Sequence, residues 1–132
     1  MHEKEIEIRW RDLDAYGHVN NAVYLTYLEE VRDEWLERTL DSEEVLWDYV
    51  IARVAVDFRR ELTQADDTVV ARCTLQRVGN SSVTTREELL VGQEVAAEAE
   101  VVLVARDRTT GRSRPLSEPE RSALNRQLDA PA

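Results

Sequence analysis

Between Glu5 and Trp10 the apolar positions alternate, with Ile6 and Ile8 on one side and Glu7 and Arg9 on the other. A period of two predicts a short strand. The next stretch, R-D-L-D-A-Y-G-H-V-N-N, has no period and is rich in Asp, Gly and Asn, so an irregular loop is expected. From Asn21 to Arg38 the period becomes helical. Val23, Tyr24, Tyr27, Leu28, Val31, Trp35 and Leu36 form one stripe, and Glu29, Glu30, Asp33, Glu34 and Glu37 fall between them. Asn20 or Asn21 can cap this helix through its side-chain oxygen. A second, short helix is expected over Ser42–Trp47, with Asp41 and Glu44 spaced as a capping box.

Period two then returns four times. Val50, Ala52, Val54, Val56, Phe58 and Leu62 alternate with polar positions. Val69, Ala71, Cys73 and Leu75 share a face within Asp67–Val78. Val83, Thr85, Glu87, Leu89 and Val91 follow, and then Val95, Ala97, Ala99, Val101 and Leu103 within Glu94–Asp107. Gly79-Asn80-Ser81, Gly92-Gln93 and Thr110-Gly111 read as turns. S-E-P-E at Ser117–Glu120 is a capping box that opens a helix through Leu124 and Leu128. A single long helix cannot bury its stripe alone. The pattern therefore predicts an α+β domain spanning residues 1–132, with four of its strands in a meander and an antiparallel sheet curled around the helix.

Composition narrows the function. The chain has 132 residues and a formal net charge of −10, which argues against a nucleic-acid partner. No stretch reaches the roughly 20 apolar residues of a membrane span, and the charged N-terminus has no leader pattern. A soluble, cytoplasmic protein is expected. Cys73 is the sole cysteine, so no intramolecular disulfide can form, and with two histidines the ligands for a zinc site are too few. The cations are sixteen arginines and Lys4. Arginine forks suit phosphate and carboxylate, although most are expected to be surface residues.

The stretch R-W-R-D-L-D-A-Y-G-H-V-N-N-A-V-Y-L-T-Y-L-E-E-V-R at Arg9–Arg32 resembles the hotdog-fold thioesterases of the 4-hydroxybenzoyl-CoA thioesterase type. V-D-F-R-R-E-L, V-G-N-S-S and R-P-L-S-E-P-E-R are also similar to that family. The resemblance implies a five-stranded antiparallel sheet wrapped around a long central helix, and hydrolysis of an acyl-CoA thioester to acid and CoA. It makes Asp14 the catalytic acid of D-x-x-G and puts the oxyanion-binding N–H near Asn21. Coenzyme A is then part of the substrate, and no cofactor or metal is needed.

The residues themselves allow this chemistry. A loop carboxylate beside the free N–H groups of a helix start can act as base or nucleophile next to an oxyanion site. From spacing alone, Asp14 could equally cap a turn. Asp12 is expected to brace the loop, and Gly17 to supply a backbone shape that a side chain forbids. His18 either orients the loop or substrate carbonyl or is a satisfied loop histidine. Tyr24 and Tyr27 suit the core or a pocket wall. Arg59, Arg60, Arg77, Ser81 and Ser82 are candidates for CoA contacts, with plain surface chemistry as the competing reading. A helix stripe read as free of Lys and Arg points to a neutral fatty or aromatic acyl group. The resemblance further implies sheets paired edge to edge, as a homodimer or homotetramer with sites at the subunit boundary.

Two other functions stay open. One is a hotdog acyl-CoA hydratase or dehydratase using Asp14 and His18 as a dyad, although the N-P element of that motif is absent. The other is a non-catalytic subunit that binds an acyl or aromatic ligand.

Overall fold

The computed structural model describes residues 1–42 and 44–129. Its elements run β1 (His2–Glu7), α1 (Asn21–Leu40), β2 (Tyr49–Phe58), β3 (Thr68–Val78), β4 (Ser82–Val91), β5 (Glu94–Ala105) and α2 (Glu118–Asp129). The strands form one five-stranded antiparallel sheet in the order β1-β3-β4-β5-β2.

The meander is therefore three strands long. β3, β4 and β5 follow one another, but β2 lies on the far edge against β5. The link from β2 to β3 is too long for a tight hairpin and contains its own short turn at Gln64–Asp66. It crosses over the sheet end instead of folding back.

α1 lies against the concave face. Tyr24, Tyr27, Leu28, Val31, Trp35 and Leu36 are buried there, on the expected stripe. Facing them are Val69, Ala71, Cys73, Val83, Thr85, Glu87, Leu89, Ala97, Val101 and Leu103, all buried. The stripe contains a residue that the periodicity passed over. Arg32 is 4% exposed, so the expectation of a stripe without a cation does not hold. Its Nη1 donates to Glu87 Oε1 at 2.8 Å, and Thr85 Oγ1 donates to the other Glu87 oxygen at 2.7 Å. A buried carboxylate needs such partners, because losing one leaves an uncompensated charge that costs roughly 3–5 kcal/mol.

Asn20 caps α1, accepting the Ala22 N–H at 2.9 Å. The helix ends at Asp41, which takes a left-handed conformation (φ 52°). Asp41 thus closes α1, where the sequence suggested the start of a second helix. Glu44–Asp48 forms a 3-10 turn, and the rest of the expected Ser42–Trp47 helix with its capping box includes residues outside those described. The capping box of α2 is present: Ser117 N–H donates to Glu120 Oε1 and Glu120 N–H to Ser117 Oγ.

β2 departs from its apparent alternation. The register shifts between Ile51 and Arg53. Ile51 pairs with Leu103 and Val54 with Val101, so Ile51, Val54, Val56 and Phe58 share the concave face, whereas the sequence pattern put Val50 and Ala52 there. Val50, Ile51, Val54 and Phe58 stay 38–46% exposed along an edge with no neighbouring strand among the described residues.

Candidate active site

The loop before α1 is a miniature hairpin. Leu13 and Val19 face each other in an antiparallel bridge. Asp14 N–H donates to the His18 carbonyl at 2.7 Å, and Asn20 N–H donates to the Asp12 carbonyl at 3.0 Å. This places Asp14 opposite His18, in the loop that leads into the helix start. The tip needs Gly17, whose φ of +82° suits glycine. A Cβ built there would meet nothing within 4 Å, so the requirement is conformational rather than steric.

The Asp14 carboxylate is half-anchored. Its Oδ1 accepts the Tyr16 N–H at 2.8 Å and the His18 N–H at 3.2 Å, which is the turn-capping role. Its Oδ2 has no partner among the described residues. One carboxylate thus serves both readings: one oxygen sets the orientation and the other remains available for chemistry.

Two tyrosines hold this loop to the core. Tyr27 donates to Asp12 Oδ2 at 2.5 Å, and the same oxygen accepts the Arg9 N–H at 3.2 Å. Asp12 is therefore a brace, as expected. Burial first, then the adjacent Asp12 carboxylate, pushes the Tyr27 phenol above its ordinary range, so it remains a donor. On the other side, Val19 N–H donates to the Leu62 carbonyl at 2.8 Å, and His18 bridges Thr63. The Tyr24 hydroxyl accepts the Leu62 N–H at 2.9 Å and donates to the Arg60 carbonyl at 2.8 Å. Its phenol is also raised, mainly by burial. Tyr24 and Tyr27 are core braces and do not line the cavities described below.

At the start of α1, Asn20 satisfies the Ala22 N–H, and Val23 N–H donates to the Asn20 carbonyl at 2.8 Å. The Asn21 N–H has no acceptor among the described residues. It is an open donor at the positive end of the helix dipole, the arrangement an oxyanion site requires.

The His18 imidazole turns away from Asp14. Its Nε2 lies 3.3 Å from Glu61 Oε2 at a solvent-exposed pair. His18 meets Asp14 through its backbone N–H and carbonyl and not through its imidazole. Glu61 was not singled out in the sequence, and nothing in its local pattern marks it.

The CoA candidates separate into two groups. Arg59 and Arg60 follow the end of β2, which pairs with Ala97 at the start of β5. Ser81 and Ser82 lie at the opposite end, where Ser82 pairs with Val104. Seven residues of strand separate these ends, about 24 Å. Arg60 is committed to Asp66 through two bonds of 3.0 and 2.9 Å, and Arg59 holds Glu98 at 2.7 Å. Arg77 reaches Thr84 Oγ1 at 3.4 Å. Within one chain these five residues do not form one site.

Between α1 and β2 runs a groove. Leu25, Leu28, Ile51, Val54 and Val101 line a cavity of about 240 Å³ together with Thr26, Glu29 and Arg32. A neighbouring cavity of about 170 Å³ shares Glu29, Arg32 and Ile51 and adds Asp33. Leu25 sits one helical turn beyond Asn21. Among the described residues no cluster of His, Cys, Asp and Glu could hold a metal ion. No helix among them is long and apolar enough to cross a membrane.

Comparison with known proteins agrees with this architecture. The chain is 28% identical to the long-chain acyl-CoA thioesterase FadM of Escherichia coli K12 over 133 residues, 96% of this chain and 98% of FadM. A thioesterase from Thermus thermophilus, solved with coenzyme A and zinc, superimposes with a TM-score of 0.89. It is 31% identical, and the match covers 99% of this chain and 96% of that one. A predicted thioesterase from Bacillus stearothermophilus matches with a TM-score of 0.86 at 28% identity, over 95% of this chain and 94% of that one. The profile of the thioesterase-like superfamily matches residues 8–124, and the chain belongs to that superfamily.

Proposed function

We propose that this protein hydrolyses an acyl-CoA thioester, with Asp14 as general base or nucleophile and the Asn21 N–H as oxyanion donor. The observation that carries this reading is the half-anchored Asp14 carboxylate, in the loop that leads into the open donor of Asn21. Oδ2 either removes a proton from water as its oxygen attacks the thioester carbon, or attacks that carbon itself. Negative charge then develops on the carbonyl oxygen, where the Asn21 N–H and the helix dipole can meet it. The carbonyl re-forms as the C–S bond breaks, giving the free acid when water attacked, or an Asp14 acyl anhydride that water then hydrolyses to acid and the free carboxylate. Thiolate is a good leaving group, so no strong acid is required. FadM and the CoA-bound neighbour support the choice of an acyl-CoA ester. The His18–Glu61 pairing disfavours an Asp–His hydratase dyad.

The working unit in this reading is a homodimer or homotetramer. The apolar, unpaired edge of β2 is a surface that native proteins cover. Antiparallel pairing of two β2 edges brings the Arg59 end of one chain beside the Ser81 end of its partner, so the separated CoA candidates can converge only across that boundary. The proposed site of action is the cytoplasm, with one domain per chain. The test is thiol release from acyl-CoA by wild type, Asp14→Asn and His18→Ala. Turnover that survives in a folded Asp14→Asn would refute the assignment and turn attention to His18.

A further inference from the structure

Arg32 is more than a core ion pair. Its side chain is 5% exposed, yet only Nη1 is committed, to Glu87. Nε and Nη2 have no acceptor among the described residues, and neither is sealed off as a buried orphan atom. Arg32 lines both cavities of the α1–β2 groove, which is the open space next to its side chain. A nine-tenths-buried guanidinium with idle donors at the end of an apolar trough is a recognition element waiting for an oxygen.

We propose that the groove takes the acyl chain of the substrate and that Arg32 selects chains carrying a neutral oxygen, a hydroxyl or carbonyl, near the tenth carbon. This rests on the thioester hydrolase reading, which places the reacting carbonyl at Asn21. Eleven helical residues separate Asn21 from Arg32, about 16 Å along the axis, and the side chain leans back toward the N-terminus. The oxygen is therefore needed roughly 12–16 Å from the thioester carbon, near the end of an extended chain of about ten carbons.

The charge balance excludes the other obvious ligand. Arg32 is already neutralised by Glu87, and Glu29 and Asp33 also line the groove. Burial and then Glu29 push the Asp33 carboxyl above its ordinary range, consistent with a locally negative environment. A second carboxylate on the acyl chain would meet net repulsion. A hydroxyl can accept from Arg32 and donate to Glu29.

The experiment uses the catalytically disabled Asp14→Asn protein and titration calorimetry with decanoyl-CoA, ω-hydroxydecanoyl-CoA and decanedioyl-CoA. Thiol release by wild type is followed in parallel. The ω-hydroxy ester is expected to bind about tenfold more tightly than decanoyl-CoA, as one charge-assisted hydrogen bond provides. The dicarboxylic ester is expected to bind at least as weakly as decanoyl-CoA, and Glu29→Gln/Asp33→Asn should improve it. Arg32→Lys keeps a cation for Glu87 but loses the planar fork, so the hydroxyl preference should fall to under threefold. The double variant Arg32→Met/Glu87→Met, which leaves no unpaired charge, should show none. Ile51→Trp, on the exposed wall, should weaken all three esters. Equal binding of the hydroxy and plain esters, or a preference that persists in Arg32→Lys, overturns the proposal. So does an Ile51→Trp variant with unchanged affinities but an altered oligomeric state, which would assign the groove to the second copy. Because binding is read separately from thiol release, absent turnover with a retained preference would sink the hydrolase reading alone.

Discussion

Replacing Tyr27 with phenylalanine removes one oxygen from a fully buried ring and leaves the packing in place. The lost contact is the 2.5 Å bond to Asp12 Oδ2, an oxygen that otherwise accepts only the Arg9 N–H and lies 3.5 Å from Arg9 Nε. A hydrogen bond to a charged acceptor contributes about 1.5–3 kcal/mol. The Asp12 side chain is only 12% exposed, so water cannot fully replace the hydroxyl and the upper half of that range applies. Asp12 is also where the hairpin is fastened, because its carbonyl holds the Asn20 N–H. Loosening it shifts Asp14 relative to Asn21, and misplacement of a reacting group by a fraction of an ångström costs about tenfold or more in rate. The expected result is a melting midpoint lowered by several degrees, kcat for thiol release reduced about tenfold and KM nearly unchanged. Tyr24→Phe, on the other flank, supplies the comparison. Stopped-flow or steady-state thiol trapping with melting curves reads both quantities. A Tyr27→Phe protein that loses stability but keeps wild-type kcat would refute the idea that this brace positions the catalytic carboxylate.

Three more outcomes follow. Burial alone would raise the Glu120 carboxyl, but the Arg114 fork, the Tyr49 hydroxyl and the Ser117 amide outweigh it and hold the group down at about 2. A carboxylate depressed in the folded state stabilises above its unfolded pKa and loses that contribution as pH falls toward the folded one. Denaturant melts from pH 5 to pH 2 should therefore show wild type losing roughly 2 kcal/mol that Glu120→Gln does not lose; parallel pH profiles would contradict this. Gly17→Ala should destabilise by about 1–2 kcal/mol through its left-handed backbone alone, measured by chemical denaturation, since the Cβ has room. Val54→Lys on the β2 edge should shift sedimentation toward a 15.2 kDa monomer, and an unchanged assembly would place the interface elsewhere.

Much of this molecule was readable from its periodicities. α1 followed its period of 3.6 and β3, β4 and β5 a period of two, each set by one buried face; the first strand runs His2–Glu7 where Glu5–Trp10 was expected, and the Asp14–Gly17 loop was marked by residues that only special backbone shapes need. The order of strands was not legible, because alternation reports which face is buried and not which neighbour is paired; β2 at the far edge needed the crossover at Arg59–Asp67. The shift between Ile51 and Arg53 was hidden too, since an extra residue among apolar neighbours leaves a pattern that still looks regular. Arg32 and Glu87 were each visible on a core face, but their partnership lies 55 positions apart in sequence and exists only once α1 rests on β4. The CoA candidates were chosen by residue type, and one chain holds them at two ends of the sheet.

The central claim is that Asp14 performs the chemistry rather than merely shaping its turn. Asparagine retains the side-chain oxygen that accepts the Tyr16 and His18 amides, so Asp14→Asn preserves the cap while removing the basic oxygen. The decisive measurement is kcat for thiol release from a saturating acyl-CoA by wild type and Asp14→Asn of equal melting temperature. The account predicts a fall of roughly 10²- to 10⁴-fold with substrate affinity little changed. Near-normal kcat in the folded variant would contradict it.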